Sequence, residues 1–396
     1  MLPLDTMIAK FSCEIATLKF LHDKTSVRVP KLIGYGLGND DDIRIPFMIT
    51  QNVNGLPLSI YWGRFGKNTV CVERILNSLA QQYLELLSHP FSQIGSLRLT
   101  VDGKGWEIGT SPISVDQFDI SRDGFKIALS NPHHSSLDYY ITQTQAFERY
   151  TNEQRNSVFD EQDAILKYVT SEAFRRLIPH FLNRQFNNGP YFLFHLDLHA
   201  NNVITNSKWE VEAILDWEFT SALPIEIAFS PPRCIMERYR ENEMHCNSDN
   251  YKLYESRLRI FAEKVENHLA SSYSNLSRLA PLILSQLHKG LAENGPFFAW
   301  SVSDVRNMFD LFWDHLALTT PIAIESKGAI GATVDIIFKT KQQLIDEMLQ
   351  ILGDKKAKDW VAERLVSLDA YILERDGYKQ EKQFGELPAD QMVPKD

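Results

Sequence analysis

Residues 191–218 read YFLFHLDLHANNVITNSKWEVEAILDWE, and no other stretch narrows so far the folds open to this chain. Two carboxylates, Asp197 and Asp216, each close an apolar run, and Asn202 follows the first by five positions. The aromatic run 191–194 is predicted as a buried strand and 202–205 as a short second one. Asn206-Ser207-Lys208 is turn-forming, and 211–215 is a third strand that delivers Asp216 at its end. Adjacent strands lie about 4.7–4.9 Å apart, so a hairpin of this size brings Asn202 and Asp216 to one small volume. Asp197 then faces them from a loop.

Phosphoryl transfer from ATP needs such a set. One carboxylate meets an acceptor hydroxyl, while an amide and a second carboxylate hold a metal ion on the phosphates. The spacing Asp-x4-Asn, with a histidine two positions before the Asp, is that of kinase catalytic loops; here the histidine is His195. A second reading of the same residues stays open. His195, Asp197 and His199 recur with period two, so on a continuous strand they would share one face and form a ligand trio suited to zinc, as in a metal-dependent hydrolase. That reading leaves Asn202 and the Asp-Trp-Glu run without a task, and no His-Glu-x-x-His helix occurs elsewhere.

HLDLHANN followed by ILDWE resembles the signature of the aminoglycoside phosphotransferase and choline-kinase-like family. That family writes it as His-x-Asp-Leu-His-x-x-Asn and then Asp-Trp-Glu. EFTSALPIEIAFSPP, residues 218–232, is similar to a fungal branch of such proteins. The resemblance runs from about Lys10 to beyond Pro232. It implies an α+β, two-lobed, protein-kinase-like fold with Mg²⁺ as cofactor and ATP as co-substrate. Asp197 would be the catalytic base, Asn202 and Asp216 the metal ligands, and His195 and His199 braces of the loop. Glu14 would be the paired glutamate of the small-lobe helix. Thr50 would guard the back of the adenine pocket, with Gln51, Asn52 and Val53 as the hinge. Leu196 stands where protein kinases place arginine, and Trp217-Glu218 where they place Phe-Gly. Both departures favour a small-molecule hydroxyl as acceptor over a protein.

Ile8, Phe11, Ile15 and Leu18 recur at helical spacing, predicting an amphipathic helix over 6–23. Residues 31–35 and 46–51 read as strands around a Gly34, Gly36, Gly38 hairpin. That hairpin leads into an acidic turn, Asn39-Asp40-Asp41-Asp42, which would repel phosphate. Asn54-Gly55 signals a turn, but Pro57 disfavours a paired strand directly after it. A helix over 72–88 presents Leu76, Leu79, Tyr83 and Leu86, and a hairpin joins 94–101 to 106–108 through Asp102-Gly103-Lys104-Gly105. Residues 110–150 read as mixed and polar, containing loops that shape an acceptor site, and 160–183 as a helix. Residues 250–375 read as almost wholly helical, with Leu344, Met348 and Leu352, then Val361, Leu365 and Leu368, as apolar stripes. Residues 376–396 read as a polar, mobile tail. The expected division is therefore 1–55, a partial nucleotide-side lobe ending in the hinge; 56–375, a large and mostly helical catalytic lobe; and the tail.

Composition removes other classes. The net charge is −10, from 41 basic and 51 acidic residues, with no long basic run. Nucleic-acid binding is disfavoured, while a cationic small-molecule acceptor suits the balance. Cys13, Cys71, Cys234 and Cys246 show no Cys-x-x-Cys spacing and read as free thiols. No run reaches the ~18 apolar residues of a membrane span, and the N-terminus lacks a signal-peptide core; cytoplasmic residence is the expectation.

One half of the kinase apparatus is missing from the expected pattern. Only thirteen residues precede Glu14. A glycine-rich strand pair and a lysine strand need roughly twenty. Lys10, four positions before Glu14, is expected to form no more than an exposed pair with it, worth about 0.3–0.5 kcal/mol. A truncated sequence, a degenerate relative and a different grip on phosphate all fit. The degenerate relative would be a pseudokinase acting as a binding or scaffold protein.

Overall fold

A computed structural model describes residues 4–38, 43–66, 68–114, 130–236, 249–289, 295–303, 308–316, 346, 349–350 and 353–385. Helix α1 (Leu4–Lys24) covers the predicted amphipathic segment and extends it at both ends. Its buried face is Cys13, Ile15, Ala16, Leu18, Phe20 and Leu21. Strands β1 (Leu32–Leu37) and β2 (Pro46–Thr50) form a two-stranded antiparallel sheet. The Phe47 ring lies across Gly36, and a Cβ there would force that ring to move. The acidic turn 39–42 lies outside the described residues.

Residues Leu56–Pro57 form β3, and the expectation about Pro57 is corrected in part. β3 does not return along β2 but pairs with a distant strand, Leu56 opposite Thr205 and Pro57 opposite Ile204. A two-residue strand at a sheet edge tolerates proline, because the missing N–H faces no ladder partner. Gly55 makes this crossing possible. Its φ is 152°, and a Cβ would come within 2.6 Å of Ile204 and 2.7 Å of the Thr205 carbonyl.

Helix α2 (Leu58–Phe65) and helix α3 (Thr69–Leu87) follow. Asn68 caps α3 by accepting from the Cys71 N–H, and all four predicted face residues, Leu76, Leu79, Tyr83 and Leu86, are buried. Strands β4 (Pro90–Phe91), β5 (Gly95–Leu99) and β6 (Trp106–Thr110) then enter a five-stranded antiparallel sheet. The predicted hairpin through Asp102 is β5–β6. α1 lies on this sheet, with Phe20 edge-on to Trp106.

The mixed segment 110–150 is helical in its second half. Helix α4 (Ser136–Glu153) is capped by Ser135 and buries Tyr139, Tyr140, Gln143, Thr144, Phe147 and Thr151, a regular helical face. Half of those six, Gln143, Thr144 and Thr151, are non-aromatic polar residues, so the hydrophobic signal is faint. Residues 115–129 lie outside the described residues. Helix α5 (Glu161–Phe181), capped by Asp160, leads into strand β7 (Tyr191–His195), as expected.

β7 sits in the five-stranded sheet, ordered β4-β7-β10-β5-β6, where β10 is Thr220–Leu223. β8 (Val203–Thr205) and β9 (Val211–Ile214) belong instead to the three-stranded sheet β3-β8-β9. The chain therefore leaves one sheet after His195, makes the second, and returns at Thr220. The two crossings carry the polar residues Asp197, Asn202, Asp216 and Glu218. C-terminal to this, the described residues are mostly helical: Asp249–Ser271, Ala280–Lys289, Gly295–Ser303, Met308–Leu311 and Asp354–Gly385. The last of these helices carries residues 376–385, expected as tail, and 386–396 lie outside the described residues. Val361 packs with Val158 and Ala164, joined by Leu365 and Leu368. Leu344, Met348 and Leu352 also lie outside the described residues. The architecture is the expected α+β, protein-kinase-like one, a smaller β portion followed by a larger helical one.

Candidate active site

The crossing between the two sheets builds the site. The β8–β9 hairpin pairs Val203 with Ile214, and beyond that pair the Leu215 N–H donates to the Asn202 carbonyl at 2.8 Å. Asn202 and Asp216 thus flank the open end of one hairpin. The Asn202 amide nitrogen donates to the Asp197 carbonyl at 3.0 Å. Its Nδ2 is spent inside the loop, so Oδ1 is the atom of that side chain that could meet a cation. An amide oxygen and a carboxylate form an oxygen donor set that fits a hard cation such as Mg²⁺.

Asp216 has φ 65° and ψ 55°, the left-handed region. For a residue with a Cβ this costs on the order of 1–3 kcal/mol and persists only where the surroundings dictate it. Those surroundings are specific. His195 Nε2 lies 3.0 Å from the Leu215 carbonyl, and buried Trp217 donates from its indole to the Ile214 carbonyl at 2.8 Å. The Glu14 carboxylate accepts from the Trp217 backbone, and the Leu196 N–H donates to the Phe219 carbonyl.

His195 is buried, and its two nitrogens have different tasks. Nε2–H donates to Leu215, and Nδ1 accepts from the Asp197 N–H at 3.2 Å. The neutral tautomer satisfies both, and burial pushes its pKa down to about 4. His195 therefore braces the loop from within. With both nitrogens occupied it does not join Asp197 and His199 as a ligand trio. Among the described residues no group of three or more His, Cys, Asp or Glu side chains is arranged to hold a metal ion. His199 stands half-exposed, its Nε2 3.9 Å from the Asp197 carboxylate.

The expectation for Lys10 is corrected. Lys10 turns from Glu14 to Glu218, with Nζ 2.7 Å from the carboxylate, and lies 5.0 Å from the centre of the Phe219 ring. Both partners are largely sheltered, their side chains 24% and 19% exposed. The helix spacing suggested Glu14, but Glu14 is engaged with Trp217 instead. Its carboxyl is pushed up to about 7 by burial, then by the charges of Glu218 and Asp216, with Lys10 opposing. Burial also raises Glu218, against the hydrogen bond from Lys10. Sequence reasoning treated Glu218 as part of a signature and assigned it no task. The signal was its place two residues after Asp216.

Thr50 ends β2 opposite Leu32, and the Gln51 N–H donates to the Lys31 carbonyl at 2.8 Å. Asn52 and Val53 continue as irregular backbone into β3. Neither β1 nor β2 carries a lysine.

With helix α1, the β1–β2 hairpin and the polar crossing of residues 195–218 in these positions, the chain has a kinase-like phosphotransferase fold. Residues 8–225, more than half of the chain, match the phosphotransferase enzyme family (APH), and the chain belongs to that family. Among curated relatives, altered inheritance of mitochondria protein 9, mitochondrial, of Meyerozyma guilliermondii is 29% identical over 93 residues, 24% of this chain and 15% of that one. The protein of the same name in Candida albicans (strain WO-1) is 29% identical over 106 residues, 26% of this chain and 17% of its own length. The matched segment is thus about one-sixth of those relatives. Their names place them in mitochondria, which overturns the expectation of cytoplasmic residence. Among the described residues no helix is long and apolar enough to cross a membrane.

Two solved structures resemble the chain at low identity. A thermostable mutant of aminoglycoside phosphotransferase APH(4)-Ia, in ternary complex with AMP-PNP and hygromycin B, is 13% identical, with a TM-score of 0.38 over 77% of this chain and 82% of that one. The GDP and kanamycin complex of APH(2")-IIia is 15% identical, with a TM-score of 0.36 over 72% and 84%.

Proposed function

We propose that this chain carries the catalytic half of a Mg²⁺- and ATP-dependent phosphotransferase whose acceptor is a hydroxyl of a small molecule. The observation that carries the reading is the clasp of Asn202 and Asp216 at the open end of one hairpin, with Asp197 tied to it through the Asn202 amide. Residues 1–55 form the nucleotide side of the cleft, ending at the hinge, and 56–375 the acceptor side. The Gln51 N–H is taken by the Lys31 carbonyl, so hydrogen bonding to a base falls to the Gln51 carbonyl and the backbone of Asn52 and Val53, with Thr50 behind them.

In the proposed step the acceptor oxygen attacks the γ-phosphorus, the bond from that phosphorus to the β–γ bridging oxygen breaks, and ADP leaves with the bond's electrons. Asp197 orients the hydroxyl and receives its proton. His195, neutral and buried, fixes the backbone that presents Asp197, and His199 lies beside the carboxylate. A Mg²⁺ ion held by Asn202 and Asp216 would supply positive charge to the phosphate oxygens. An acidic protein surface favours a cationic acceptor.

The test is ³²P transfer from γ-labelled ATP to a panel of amino sugars, choline and related amino alcohols, with nucleotide binding measured alongside. Asp197→Ala should lower turnover by ~10²–10⁴-fold while leaving nucleotide affinity within a few-fold. Unchanged transfer in that variant would sink the assignment. One observation favours a second reading, a pseudokinase that binds without transfer: the Glu14 carboxylate is engaged by the Trp217 backbone. Nucleotide bound by the parent chain with no transfer to any acceptor would favour that reading.

A further inference from the structure

Three successive residues after Asp216 are each pinned, and two of the anchors come from α1. Trp217 is held through its backbone by Glu14 and through its indole by the Ile214 carbonyl. The Glu218 carboxylate lies 2.7 Å from Lys10. The Phe219 carbonyl accepts from Leu196 at 2.9 Å, and its ring faces the Lys10 ammonium. Lys10 and Glu14 are one helical turn apart, so a single face of α1 reads both residues of the Trp217-Glu218 step.

We propose that Lys10 is a positioning residue: its ion pair with Glu218 locks α1 to the turn after Asp216 and holds the left-handed Asp216 carboxylate beside Asn202. The reasoning is geometric and electrostatic. A left-handed aspartate relaxes unless neighbours hold it. Glu218 lies in the field of Asp216 and Asp197, and Glu14 in the field of Asp216 and Glu218. The carboxylates of Asp197, Asp216 and Glu218 repel one another and oppose charge on the Glu14 carboxyl of α1, and the Lys10 ammonium, paired with Glu218, offsets part of that repulsion. Because both side chains are sheltered, water screens the pair less than it screens a surface ion pair. The ring of Phe219 holds the same ammonium from another side. Any tilt of α1 is thereby transmitted to a proposed metal ligand more than two hundred residues away in sequence. This makes α1 a control point for the site as well as part of its wall.

The nucleotide arm of the test rests on the phosphotransferase reading, and the exchange arm does not. Hydrogen exchange over residues 215–219 should quicken by about tenfold or more in Lys10→Met, while α3 amides keep their parent rates. Lys10→Arg should stay close to the parent. Lys10→Met combined with Glu218→Gln should recover protection relative to Lys10→Met alone, because the uncompensated charge is gone; the cycle measures the coupling directly. In parallel, Mn²⁺ binding in the presence of ATP, followed by electron paramagnetic resonance, should weaken several-fold in Lys10→Met and recover in Lys10→Arg. Parent-like exchange at 215–219 in Lys10→Met would overturn the clamp. Faster exchange with unchanged Mn²⁺–ATP affinity would overturn its positioning of Asp216. If the parent chain itself bound no Mn²⁺–ATP, the phosphotransferase reading would fall, and exchange alone would decide whether the clamp exists.

Discussion

The side-chain amide of Asn202 donates to the backbone carbonyl of Asp197 at 3.0 Å, so a proposed metal ligand also sets the conformation of the proposed base loop. The two roles use opposite ends of one amide. Geometry and charge at this site are therefore coupled, and a change in Asn202 affects both.

Asn202→Asp separates them. It keeps an oxygen ligand but replaces the donor with an acceptor that faces the Asp197 carbonyl. Losing that hydrogen bond in a half-buried setting should cost about 1–3 kcal/mol of stability. Thermal unfolding measures this term, and Mn²⁺ titration the ligand term. Asn202→Ala should weaken Mn²⁺ binding more than Asn202→Asp does. Equal Mn²⁺ affinity in the two variants would remove Asn202 from the ligand set and leave it a structural residue.

His195 gives a pH signature. Its folded pKa is about 4, below the ordinary value of 6.5, because burial disfavours the imidazolium. Between those values the unfolded chain takes up a proton that the folded chain refuses. The contribution is fully present above pH 6.5 and is lost as pH falls toward 4, on the order of 3 kcal/mol in all. His195→Gln keeps a donor for the Leu215 carbonyl and removes the titration. The difference in melting temperature between parent and variant should narrow from pH 7 to pH 4.5. A difference that stays constant with pH would refute the buried neutral histidine.

Much of the candidate site's placement in the fold was legible in sequence, and the reasons are local. Asp197, Asn202 and Asp216 end or follow strongly apolar runs, so their strand-end placement needed only periodicity and turn chemistry. Neighbouring strands then did the rest. What stayed hidden depended on tertiary placement. Lys10 sits four residues from Glu14, and helix spacing offers that pair first; only the packing of α1 on the Trp217–Phe219 turn shows that Glu218 takes it. Pro57 looked like a strand breaker because its partner, Ile204, is far along the chain. Helix α4 was missed because Gln143, Thr144 and Thr151 carry its buried face beside the aromatics.

The thiols should be inert while the chain is folded. Cys13, Cys71 and Cys234 are buried, and burial pushes the Cys13 thiol up to about 12 and raises Cys234 as well. Thiolate is the reactive form, so little of it exists at neutral pH. In a Cys246→Ser background, titration with a chromogenic disulfide should give slow reaction in buffer and three thiols only after denaturant is added. Fast release of three equivalents from the native chain would contradict this burial.

Glu226 gives the opposite pH behaviour from His195. It is buried, accepts from the Asn183 N–H at 2.6 Å and from the Tyr140 hydroxyl at 2.9 Å, and its pKa is raised by that burial. A raised carboxyl contributes most below its unfolded pKa of about 4.3, and the contribution is lost as pH rises through the folded value. Glu226→Gln removes the charge and keeps an acceptor for Asn183, while Tyr140 can accept from the new amide. Its stability relative to the parent should rise with pH through the range in which Glu226 ionises. Glu226→Ala leaves the Asn183 donor and the Tyr140 hydroxyl without their partner and should cost about 1–3 kcal/mol. Denaturant titrations at pH 4.5 and pH 8 distinguish these outcomes. If Glu226→Gln lost as much stability as Glu226→Ala at pH 8, the ionised carboxylate would be a net support of the fold, and burial would not be the dominant influence on it.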